Sequence, residues 1–64
     1  MGEYVVLISS QVEDNVLNQV NIVEGSESYN DNGTYTVNVI GSPQTTEPVL
    51  NIAPSVISYK EISS

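Results

Sequence analysis

The run Asn30-Asp31-Asn32-Gly33, followed by an alternating segment from Thr34 to Ile40, narrows the possible folds more than any other feature of this chain. Asn, Asp and Gly tolerate left-handed backbone and bond their own main chain, and Asn-Gly is preferred in tight hairpin turns. Beyond the turn, Tyr35, Val37 and Val39 fall on one side, with Thr34, Thr36 and Asn38 on the other. That two-residue period marks a half-buried strand. Its antiparallel partner should arrive through Val20 to Tyr29, with Gly25 supplying a bulge or bend.

The rest of the chain supports a sheet. Val and Ile account for 16 of 64 residues, and β-branched side chains suit a pleated surface. Tyr4 to Ile8 is a continuous apolar run, which predicts a strand buried on both faces or packed at an interface. Gly41-Ser42-Pro43 should end the strand that follows the hairpin turn, and Gln44 to Pro48 reads as an extended loop. Pro48 and Pro54 then frame Val49 to Ile52 as an edge strand, and Ser55 to Ile62 gives a last strand.

Residues 10–23 admit two readings. Val12, Val16, Leu17, Val20 and Val23 have helical spacing, with Ser10 and Glu13 placed as a capping box. The same segment is rich in Val and Asn, which favours a turn at Glu13-Asp14-Asn15 and a strand from Val16 to Val23. The expectation is one all-β domain over residues 1–64, of about five short strands in a small open barrel, sandwich or meander. A βαβββ arrangement with a helix near residues 11–23 is the alternative.

A chain of this length buries only about 60% of its unfolded surface, so its core is marginal without a staple or a partner. Cys and His are absent, which removes disulfides and the usual zinc or iron sites. Oligomerisation or docking on something larger is the remaining route to stability. Leu, Ile and Val make up about 30% of the residues, above the ~20% level associated with disorder. A folded chain is expected.

Eight carboxylates against the single cation Lys60 give a net charge of −7. Such a chain repels phosphate backbones and anionic lipid, so neither nucleic acid nor membrane is an expected partner. A protein with a basic surface is the electrostatic complement. Without His or Cys, no Ser or Thr has its usual activating base, Thr45 and Thr46 included. No catalytic role, cofactor or metal is expected. An EF-hand loop centred on Gly33 would begin at Ser28 and end at Val39, where Asp and Glu are required. A looser calcium site at Glu27 and Asp31 competes with an ordinary solvated turn. Asn32-Gly33-Thr34 matches a glycosylation sequon that a turn also favours. The opening residues carry no basic segment followed by a long apolar one, and cytoplasmic synthesis without a signal peptide is expected.

Asp31-Asn32-Gly33-Thr34-Tyr35 resembles the D-x-G-x-Y segment of immunoglobulin-like domains, which implies a sandwich with Tyr35 at a corner. The polar composition, biased to Ser, Asn and Thr, is similar to that of viral decoration, cement and tail proteins. The leading expectation is therefore a non-catalytic subunit, homo-oligomeric or docked on a larger assembly such as a virion. Contact is expected through Tyr4, Val5, Val6, Leu7 and Ile8, or through Val56, Ile57 and Tyr59. The alternative is an acidic inhibitor, or nucleic-acid mimic, occupying a basic cleft of its partner.

Overall fold

The computed structural model describes residues 1–9 and 13–63. They form one antiparallel five-stranded sheet with a single helix on one face, open rather than closed into a barrel. In chain order the elements are β1 (Gly2–Ile8), a 3₁₀ turn (Leu17–Gln19), β2 (Asn21–Ile22), β3 (Ser28–Tyr29), β4 (Tyr35–Gly41), α1 (Pro43–Ile52) and β5 (Val56–Ser63). β1 is the central strand, flanked by β4 and β5, while β2 and β3 both pair with the outer edge of β4.

The hairpin forms where the sequence places it, with a wider loop than a primed two-residue turn. The Asn30 N–H donates to the Thr34 carbonyl at 2.8 Å, and the Gly33 N–H to the Asn30 carbonyl at 3.3 Å. Within the turn only Gly33 takes positive φ, at 89°, so Asp31 and Asn32 make an ordinary turn and Gly33 closes it. The incoming arm bends at Gly25, φ 82°, which splits it into β2 and β3. Ser26 bridges the gap. Its hydroxyl accepts from the Asn38 N–H at 2.9 Å and donates to the Val23 carbonyl at 2.7 Å, replacing a missing ladder bond.

β1 is not apolar on two equivalent faces. Tyr4, Val6 and Ile8 are buried, while Val5 and Leu7 on the reverse are half-buried. Tyr4 lies opposite Val39 and Val6 opposite Val37. Leu50 and Ala53 of the α1 region and Leu17 of the 3₁₀ turn complete that core.

Two expected elements are corrected. Residues 44–52, read as a loop and an edge strand, belong to α1. Ser42 occupies the N-cap position and Pro43 the first turn, where a missing N–H costs nothing. The Thr45 and Thr46 N–H groups donate to the Ser42 carbonyl, and buried Thr46, Leu50 and Ala53 recur at helical spacing. Pro54 follows the helix and stops it. Pro48 sits inside and removes one helical bond without ending the element. Thr46 is thus a core residue rather than a loop residue, and it packs where β4 ends: a Cβ at Gly41 would collide with Thr46 Oγ1.

The strand expected from Val16 to Val23 is reduced to the 3₁₀ turn and the two residues of β2. Asp14 explains this. Its Oδ1 accepts from the Val16 and Leu17 N–H groups at 3.0 and 3.1 Å, winding the chain and directing Leu17 into the core. The capping box at Ser10 and the first residues of the alternative helix lie outside the described residues. The immunoglobulin-like expectation also fails, because the sheet packs on a helix rather than on a second sheet. Tyr35 stacks on Tyr29, ring centroids 5.3 Å apart, rather than turning a corner.

Candidate functional site

Among the polar arrangements of the described residues, three are candidates for a site. In the first, Asp14 ties the segment after β1 to the start of β5. Its Oδ2 accepts from the Ser55 N–H at 2.9 Å and from the Ser55 hydroxyl at 2.5 Å. With the two bonds to Oδ1, this buried carboxylate receives four donors. The Ser55 hydroxyl is the main reason its pKa lies below the ordinary value, against the opposing effect of burial. All four bonds serve the fold, so Asp14 is a clasp rather than a free acid.

The second arrangement lies between β1, β5 and α1. Tyr4 is fully buried, and its hydroxyl donates to Glu47 Oε2 at 2.9 Å. Burial, with that bond and the nearby carboxylates, pushes its pKa up to about 12. Tyr59 meets the Tyr4 ring edge-on at 6.0 Å and donates its hydroxyl to Asn51 Oδ1 at 2.6 Å. Both tyrosines therefore bolt the sheet to the helix. The third is the hairpin turn, where Asn32 Oδ1 accepts from the Thr34 N–H and hydroxyl, and Asn30 Nδ2 donates to Thr34 Oγ1. These groups are occupied with one another. Among the described residues, no three acidic groups gather to hold a metal ion.

The expected contact residues divide by position. Tyr4, Val6 and Ile8 are buried beneath the helix, and Val5 and Leu7 lie on the opposite, helix-free face. Both edges of β1 are occupied, by β4 and β5, so its backbone has no ladder left to offer another strand. Docking by strand addition to Tyr4–Ile8 is thus corrected: the run is apolar because it is central.

Val56, Ile57 and Tyr59 stand differently, on β5. Among the described residues this eight-residue strand pairs only with β1, and no other strand lies on its outer side. Its register slips twice, between Leu7 and Ile8 and between Glu3 and Tyr4. Ile57 and Ile62 are the residues left without a partner, and they are 55% and 50% exposed. Only Ser58 to Glu61 keeps an uninterrupted ladder with β1. Ile62 ends the expected contact stretch, which runs from Val56 to Ile62. Strand period alone does not locate a bulge, and both bulges become visible only once the register with β1 is known.

The chain matches no protein-family model, no curated protein and no solved structure.

Proposed function

We propose that this chain is a non-catalytic interaction subunit that docks on a larger protein assembly by lending the open edge of β5 to a partner strand. The observation that carries this reading is the asymmetry of the two sheet edges. The β4 side is blunted by two strands of two residues each and a bent crossing. The β5 side is eight residues long, with no strand of the described residues paired to it and Ile57 and Ile62 exposed along it. An edge of that kind is the receptor for strand addition.

The two bulges and Lys60 make the edge selective, since bulges twist a strand away from indiscriminate pairing and Lys discourages it. The partner strand then finds a short regular stretch, Ser58 to Glu61, flanked by two apolar anchors. Burying an exposed Ile contributes roughly 1.5–3 kcal/mol at full desolvation, so two anchors add materially to the main-chain bonds. A virion or similar assembly is the kind of partner that the size and polar composition suit.

The test is recovery of proteins on the immobilised chain at moderate salt, in parallel with an Ile57→Glu/Ile62→Glu variant. A stoichiometric partner held by the unaltered chain and lost by the variant is expected. Equal retention by both would overturn the edge assignment. Retention that collapses between low and moderate salt would instead favour an acidic chain occupying a basic cleft.

A further inference from the structure

We propose that the helix-free face of the sheet packs against the same face of a second copy of this chain, independently of the β5 edge. Cross-strand partners share a face, so the register defines it. Glu3, Val5 and Leu7 of β1 lie beside Ile40, Asn38 and Thr36 of β4, and Val5 and Leu7 also lie beside Lys60 and Ser58 of β5. The helix packs on the other side, and none of the described elements covers this one.

Charge selects the occupant. Seven of the eight carboxylates lie elsewhere: Glu13 and Asp14 before the 3₁₀ turn, Glu24 and Glu27 in the bent crossing, Asp31 in the hairpin turn, Glu47 on α1, and Glu61 on the helix side. Only Glu3 belongs to the bare face, and the chain's sole cation, Lys60, belongs there too. A molecule of net charge −7 thus presents one neutral face, where a second equally acidic molecule meets the least repulsion.

That face is also self-complementary. Lys60 is opposite Val5, one strand across from Glu3 and two residues along. An in-plane two-fold axis between them sets each Lys60 over the other copy's Glu3 and brings Val5 near the axis. Glu3 is held for this role by Asn38, whose Nδ2 donates to Glu3 Oε2 at 3.0 Å. Three strands ~4.8 Å apart and about seven residues long (β4, β1 and β5) give roughly 350 Å² per face. That is about half the usual share of a stable interface, so the dimer is weak and concentration-dependent.

Sedimentation equilibrium of the full chain from ~10 μM to ~1 mM tests this, because weak interfaces associate in that range. The unaltered chain should pass from monomer to dimer. Lys60→Glu and Glu3→Lys should each weaken association ~10-fold or more by placing like charges across the axis, and the double variant should recover it. Circular dichroism checks that each variant keeps its fold. A monomer at every concentration means a solvated face and overturns the proposal, as does a dimer indifferent to both single substitutions. Neither outcome touches the edge reading, which depends on backbone groups of β5 and a different partner.

Discussion

Asp14 shows how one residue can decide a segment. Four donors converge on its carboxylate, from Val16, Leu17 and both polar groups of Ser55, and the residue is buried. Because folding lowers its pKa, the stability it contributes is present above the unfolded value and is lost as pH falls toward the folded one. Tyr4 sets the opposite limb. Its pKa is raised from 10.0 to about 12, so its contribution is intact below pH 10 and is lost as pH rises through 12. Urea midpoints at pH 6 and pH 3 check the acid limb. Asp14→Asn should be less stable than the native chain at pH 6, yet lose less on acidification, since its amide cannot ionise. An identical loss in both proteins would assign the acid sensitivity to other carboxylates. Ser55→Ala removes one hydroxyl donor and should cost roughly 1.5–3 kcal/mol, the range for a hydrogen bond to a charged group.

At the level of elements, the hairpin and the last strand were legible because their signals are local. Asn30 to Gly33 specify a reversal whatever surrounds them, and alternation from Tyr35 to Val39 survives because one face meets a core. The helix was hidden by Pro48. Two prolines framing four apolar-rich residues resemble a strand boundary, yet the informative pair was Ser42-Pro43 at the start and Pro54 beyond the end. Thr46, Leu50 and Ala53 carry the helical period, but a buried Thr does not announce itself in a sequence. Of the expected contact strands, β1 has no edge for strand addition; an apolar run reads alike at an interface and in a sheet centre. The last strand was located, while its bulges needed the register. The cost of Pro48 is measurable. It is exposed, so Pro48→Ala should restore a helical bond without new core contacts and stabilise the chain by about 2 kcal/mol. Leu50→Ala, by contrast, empties a core position and should destabilise by about 2–4 kcal/mol. Denaturant midpoints for both variants test whether this segment is helix or strand, because Pro48→Ala gains nothing in a strand edge.

The described residues form a single sheet with one covered face, one bare face, one blunted edge and one long edge with no strand on it. For 64 residues that is a thin construction, and docking surfaces are what such a chain has in excess. The two proposed contacts use different chemistry: packing of side chains on the face leaves edge amides exposed, whereas strand addition protects them. Amide hydrogen exchange, measured on the chain alone and with the partner that it retains at moderate salt, therefore reads the central claim directly. Strand addition predicts that exchange slows within Val56–Ser63 on binding, while the amides of β1, already paired on both sides, change little. Protection confined to the acidic stretch from Glu24 to Asp31, with β5 unchanged, would contradict it and identify the carboxylates as the docking surface.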